Sequence, residues 1–256
     1  MKKRAIAAAS AAVLMGVLGI SGCGSTVPAG SATNPASGAA SADKGLLFAA
    51  GKDAIAPEDL SAVAEEDVEK TVSALNGKYD ELVTQADTFD AYREHIDAVQ
   101  AYYDFVLTET KALGIRMRRY AADCASYVLA DDRTPGPMYD DLEVIYDDLY
   151  DGAGDDVCDA IYDDLFERLY DAFYDGVVRD GYDVIGYGEW SEISSAAYEM
   201  YSDAMSEAYE LISDTRSDIY EFASDVRGDV YGDKIEKAEK ELEKFREKIA
   251  ELEDEK

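Results

Sequence analysis

The chain of 256 residues carries 56 Asp and Glu against 24 Lys and Arg, a formal net charge of −32, with a single histidine. That balance argues against nucleic acid and anionic lipid headgroups as partners, because both need clustered positive charge to displace their counterions. The lone His95 removes the base of a catalytic triad and the ligands of a histidine-rich metal site. Its length suits one or two domains, and 19 Tyr, 7 Phe and one Trp supply large burial.

Met1-Lys2-Lys3-Arg4 is a basic start, residues 5–20 are an apolar run too short to span a bilayer comfortably, and Ser21-Gly22 are small residues ahead of Cys23. Ile20-Ser21-Gly22-Cys23 resembles the bacterial lipobox. The resemblance implies lipid transfer to the Cys23 thiol, cleavage before it, and an extracytoplasmic protein anchored to the membrane through that lipid, palmitate included; a plain secretory peptide is the alternative. It covers the signal segment and four further residues and says nothing of the rest. Residues 24–43 are Gly, Ala, Ser, Thr and Pro with almost no bulky side chain and, as a coil of about 20 residues, span roughly 25 Å, so 23–56 reads as a lipidated cysteine and tether.

The helical domain is expected over 57–256. Pro57-Glu58-Asp59 opens a first helix, about 57–85, whose apolar stripe includes Leu60, Val63, Val72, Leu75 and Leu82 with Asp67 as an exception; the stripe keeps phase across Asn76-Gly77. Asp87-Thr88 caps a second, about 88–130, with Phe89, Ile96, Val99, Tyr103, Val106, Leu113, Met117 and Cys124 on one side. Thr134-Pro135-Gly136-Pro137 breaks the chain. Tyr-Asp-Asp-Leu then recurs at 139, 146 and 162, and Gly152 and Gly154 are expected to divide a helix of about 138–151 from one of 155–178. In the latter Val157, Ile161, Leu165, Leu169, Phe173 and Val177 form a ridge at every fourth residue, and Gly176, Gly181, Gly186 and Gly188 are expected to end it in a loop.

Tyr187, Tyr198, Tyr209, Tyr220 and Tyr231 are spaced by eleven, the first four each heading a Tyr-x-x-x-Ser-(Asp/Glu) unit. Eleven residues make three turns at about 3.67 per turn, so the repeat predicts one long helix, 189–231 within a repeat of 187–231, with Tyr198, Tyr201, Met205, Ala208, Ile212, Ile219, Phe222 and Val226 as its seam. Ser195, Ser206, Ser217 and Gly228 suit either close helix approach or outward polar filler. A last helix, about 233–255, places Ile235, Ala238, Leu242, Phe245, Ile249 and Leu252 on one stripe among Glu/Lys pairs. No stretch alternates as a sheet would. The fold class is all-α, an elongated antiparallel, coiled-coil-like bundle. In that hairpin Arg116, Arg118 and Arg119 are expected to face Asp148, Asp151, Asp155 and Asp156.

The chemistry is sparse. Cys124 and Cys158 suit either a disulfide or two buried free thiols. Loops centred on Gly152 and Gly176 put Cys158 and Tyr182 where an EF-hand needs Glu, so only a weak cation site at Asp151, Asp155 and Asp156 is left, and no specific metal or cofactor is expected. Tyr187, Glu189 and Trp190 read as an aromatic ligand patch or as a packed helix start. With no catalytic constellation, the expectation is a noncatalytic interaction or spacer module of the cell envelope, bound to the membrane through Cys23 and to an envelope protein or a second copy of itself. A small-ligand or cation-binding lipoprotein, and an inhibitor of a basic secreted hydrolase, are the alternatives.

Overall fold

Residues 54–130 and 134–254 are described by the structure, a computed structural model; Cys23, the signal segment and the tether at 24–43 lie outside them. Every regular element among the described residues is a helix and none is a strand. A 3₁₀ turn at Pro57–Asp59 leads into α1 (Leu60–Gln85), which runs unbroken through Asn76-Gly77. Thr88 caps α2 (Phe89–Glu94) by accepting the Ala91 N–H, and α3 (Ile96–Leu129) follows. The helix expected over 88–130 is therefore split at His95, whose Nδ1 lies 2.9 Å from the Ala91 carbonyl oxygen that also accepts the His95 N–H.

Beyond Thr134 the chain forms one long arm rather than two helices. It consists of α4 (Pro135–Asp141), a π-helix π1 (Ile145–Ala153), α5 (Gly154–Val157), π2 (Cys158–Leu165), α6 (Phe166–Leu169), π3 (Tyr170–Val178), a 3₁₀ turn (Arg179–Gly181) and α7 (Tyr182–Ile185). The buried residues explain the widened turns. Leu149, Ala153, Val157, Ile161, Leu165, Leu169, Phe173 and Val177 recur at every fourth position and all are buried. On a plain α-helix each such step overshoots a full turn by about 40°, so the ridge would wind off its neighbours within a few steps. Alternating α and π turns, with bonds to the fourth and the fifth residue, bring the mean close to four per turn and hold the ridge on one face.

The glycines that were expected to divide or end this helix sit inside it. A Cβ at Gly152, Gly154 or Gly176 would lie 3.1, 2.9 or 2.7 Å from the carbonyl oxygen five residues earlier. Their role here is to fit the wide turn. Only Gly186, at φ 79°, makes the reversal into the next helix.

That helix, α8 (Tyr187–Tyr231), spans 45 residues, about 68 Å at 1.5 Å per residue. Its buried face repeats by elevens through Ala197, Ala208, Ile219 and Val230, and through Ala204, Thr215 and Val226. Tyr198, expected in the seam, is 51% exposed, and Ser195, Ser206, Ser217 and Gly228 all face solvent. The last helix, α9 (Ile235–Asp254), folds back on α8, where Phe245 stacks on Phe222 with centroids 4.1 Å apart.

α3 is the centre against which α1, α8 and α9 pack. Arg116, Arg118 and Arg119 do not meet the acids of the arm; each reaches a different helix. Arg116 Nε donates to Asp67 of α1 at 2.7 Å, and Tyr120 OH donates to the same carboxylate at 3.0 Å. Arg118, almost fully buried, donates to Asp218 at 2.8 Å and to Thr215 Oγ1 at 2.9 Å, both on α8. Arg119 pairs with Glu253 of α9. Consecutive helical residues point about 100° apart, which is why neighbouring arginines serve separate neighbours. The α3–α8 contact is close: a Cβ at Gly114 would fall 2.4 Å from Thr215 Oγ1.

The two kinds of helix predict opposite responses to one substitution. Gly77, in α1, has nothing within 4 Å of an added Cβ, so Gly77→Ala should stabilise by about 0.5–1 kcal/mol. Gly176→Ala should destabilise by about 1 kcal/mol or more, because its methyl meets the Asp171 carbonyl. Urea midpoints measure both; the same sign at the two sites would count against the widened arm.

Candidate functional site

Where the arm and α8 run antiparallel, both helices present tyrosines on their outer edge. The α8 tyrosines repeat by elevens, whereas Tyr150, Tyr162 and Tyr174 of the arm repeat by twelves. Twelve residues at four per turn and eleven at 3.67 per turn are both three turns, so the rings stay in register. Tyr231 meets Tyr139, with centroids 5.6 Å apart, and Tyr220 meets Tyr146 and Tyr150 at 5.2 and 5.3 Å. Tyr209 meets Tyr162 at 5.1 Å, Tyr198 meets Tyr174 at 5.6 Å, and Tyr187 meets Tyr182 at 6.4 Å. Most pairs are tilted or edge-on, the arrangement that the ring quadrupoles favour.

The result is a ladder of paired rings along roughly 66 Å of α8. Its α8 members remain open to solvent at 68, 51, 53, 48 and 78% from Tyr187 to Tyr231. Acids flank every rung, as the Tyr-Asp pairs of the arm require. Tyrosine at the outward repeat position is compatible with folding because the neighbouring residues of the seam, Ala197, Ala208, Ile219 and Val230, carry the burial.

The aromatic patch expected at Tyr187, Glu189 and Trp190 is brought together as the end of this ladder, but two of its members are spent on structure. Trp190 Nε1 donates to the Val178 carbonyl at 2.7 Å, and its ring stands edge-on to Tyr182. Glu189 accepts from Arg93 of α2 at 2.8 Å. Of the two rings only Tyr187 keeps a broad exposed face, and the Glu189 ion pair lies at the surface.

Cys124 and Cys158 are free thiols. Val157 lies across from Gly114 and Met117 of α3, and Cys124 is ten residues beyond Gly114, about 15 Å along the axis, where a disulfide allows no more than about 7 Å between Cα atoms. Of the two readings, the free thiols stand: a bridge needs the chain to fold back where Gly152 and Gly154 were expected to divide two helices, and the arm continues through them. Burial pushes the Cys124 thiol up to about 12, with Asp148, Asp141 and Asp123 adding to the effect.

Asp155 is bound to Arg216 at 2.8 Å, while Asp151 and Asp156 are exposed. Among the described residues no group of three or more His, Cys, Asp or Glu side chains is placed to hold a metal ion, so the structure does not assemble the cation site read at Asp151, Asp155 and Asp156. An open recess of about 160 Å³ lies between α8 and α9, lined by Asp218, Phe222, Phe245 and Lys248 among others. No family model, curated protein or solved structure matches the chain.

The ladder itself was not read from the sequence. Its signal is the twelve-residue spacing of Tyr150, Tyr162 and Tyr174 beside the eleven-residue spacing downstream, which become commensurate only when the arm has four residues per turn.

The register predicts thiol behaviour. In the full chain carrying Cys23→Ala, Ellman's reagent at pH 8 should modify half-exposed Cys158 and leave Cys124 untouched until denaturant is added. A native disulfide between the two would contradict this placement.

Proposed function

We propose that this protein is a noncatalytic interaction module of the bacterial envelope, held to the membrane by lipid on Cys23 and presenting its helical domain at the end of the tether. The observation that carries the reading is the tyrosine ladder. Solvated tyrosine rings on a rigid scaffold supply large contact area with only two rotatable side-chain bonds to freeze, which is why such residues dominate recognition surfaces. The acids between the rungs add electrostatic selection for a basic partner and speed its encounter.

Compared with the reading as a small-ligand carrier, this one is favoured by the shape of the cavities. The recess between α8 and α9 is open and holds about 160 Å³, against the roughly 300–1,000 Å³ of ligand pockets. The space between Gly114, Gly154 and Thr215 holds about 10 Å³. The noncatalytic part of the proposal rests on the residue supply, with His95 engaged at the α2–α3 junction.

Two measurements test it. Labelled palmitate should attach to the wild-type chain and not to Cys23→Ala, which should leave the membrane fraction; lipid attachment independent of Cys23 would remove the anchoring half. Crosslinking in intact cells should join the wild-type chain to one defined envelope protein, with capture reduced by Tyr198→Ala plus Tyr209→Ala. Equal capture by that variant would remove the ladder as the binding surface.

A further inference from the structure

A second repeat lies beneath the tyrosines. Stepping back by elevens along α8 gives Arg227, Arg216 and Met205, while stepping forward by twelves along the arm gives Glu143, Asp155 and Glu167. At the first two places the side chains meet, Arg227 to Glu143 at 3.2 Å and Arg216 to Asp155 at 2.8 Å. Both guanidinium groups lie against ladder rings. That of Arg227 is 4.2 Å from the Tyr139 centroid and 5.2 Å from Tyr146, and that of Arg216 is 4.6 Å from Tyr150. Their Nε atoms are buried without a hydrogen-bond partner, so ring faces and carboxylate are what hold the cations.

The third place has the anionic half and the rings but no cation. Met205 stands where arginine would, accepting a hydrogen bond from Tyr201 OH at 3.1 Å. Glu167 is exposed and makes no ion pair among the described residues. Tyr201 has Tyr170 at 5.3 Å and Tyr198 at 6.4 Å between ring centroids, and burial, with Tyr162, Tyr170, Tyr198 and Glu167 adding to it, pushes its hydroxyl above the usual tyrosine pKa.

We propose that this third rung receives an arginine side chain of a basic partner protein, the guanidinium entering from solvent among Tyr170, Tyr198, Tyr201 and Glu167. The chain itself indicates the occupant, since the same repeat position one and two units away holds guanidinium on tyrosine and carboxylate. A guanidinium offers a flat face for the ring and an edge for the carboxylate together, which an ammonium does not. Met205 fills the inner part of the position without charge, so the cation must come from outside, and the formal net charge of −32 draws a basic protein to this surface. The inference rests on the interaction-module reading and adds the chemistry of the partner.

Fluorescein-labelled octa-arginine and octa-lysine, titrated into the full chain at about 0.15 M salt and followed by anisotropy, provide the test. Octa-arginine should bind about ten-fold more tightly than octa-lysine. Glu167→Gln should lose most of that advantage. Met205→Arg should lose it as well, and should raise the melting temperature by completing the internal ion pair with Glu167. Glu247→Gln, an equal change of charge on the exposed side of α9, should leave binding as it was. Equal affinity for the two peptides, an equal loss in Glu247→Gln, or undiminished binding by a folded Met205→Arg chain would each overturn the site. If Met205→Arg does not fold, the comparison of Glu167→Gln with Glu247→Gln decides alone. Capture of the same envelope partner by wild-type and Glu167→Gln chains would remove this site and leave the interaction module standing.

Discussion

Two helices of unequal winding are held in step along their whole contact, and the rest of the structure follows from that match. Three turns take eleven residues on α8 and twelve on the arm. An α-helix opposed to a second α-helix needs no such adjustment; here the arm must open its turns. The consequence is visible in the backbone as three π-helical stretches and in the composition as glycines at positions where a methyl would press on a carbonyl five residues back. With the pitch so fixed, features of one rung recur at the next: a buried small or aliphatic residue, a tyrosine pair whose α8 member is exposed while most arm members are half-buried and, at two places, an arginine wedged between ring and carboxylate. π-Turns are rare and mostly occur singly; here three stretches of them persist in one arm, where the buried ridge at every fourth residue holds its face only if the turns stay wide.

α3 provides the second constraint. Three arginines within four residues each reach a different helix, and the partner on α1, Asp67, is the one residue that breaks the apolar stripe of that helix. Burying Arg118 with Asp218 and Thr215 contributes little net stability, because desolvation offsets most of the attraction, but it penalises any sliding of α8 on α3 by leaving a buried charge unpaired. Since α8 is thereby fixed on α3, and the arm is fixed on α8, the ladder faces outward.

Much of this was legible in the sequence. The apolar stripes located α1 and α9 to within a few residues, the eleven-residue repeat located α8, and the all-α class followed from the lack of alternation. The ridge at every fourth residue was also legible, and it carried more than was read from it, because a ridge that stays on one face for that long requires wider turns. Gly152, Gly154 and Gly176 concealed this, since glycine ends an α-helix far more often than it accommodates a π-turn. A division of the arm at Gly152 and Gly154 would bring Cys124 and Cys158 to one height; the unbroken arm keeps them apart. The partners of Arg116, Arg118 and Arg119 were beyond reach for a different reason: periodicity on one helix defines which side is inward, not which neighbour lies there. The eleven-residue spacing suggests Tyr198 for the seam, whereas its buried neighbours Ala197, Ala208 and Ile219 set the repeat tyrosines one residue outside it.

The functional reading draws on the same geometry. A tyrosine-lined, acidic face on a rigid bundle suits recognition of a basic protein, and the repeat supplies both the filled rungs and the open one. Whether the face exists depends on the register between arm and α8. The most direct measurement is the set of nuclear Overhauser contacts between ring protons of Tyr150 and Tyr220, Tyr162 and Tyr209, and Tyr174 and Tyr198, whose centroids lie 5.3, 5.1 and 5.6 Å apart. Contacts at all three pairs in one sample are the expected result. Contact at a single pair, as an arm wound at 3.6 residues per turn would give, contradicts the account.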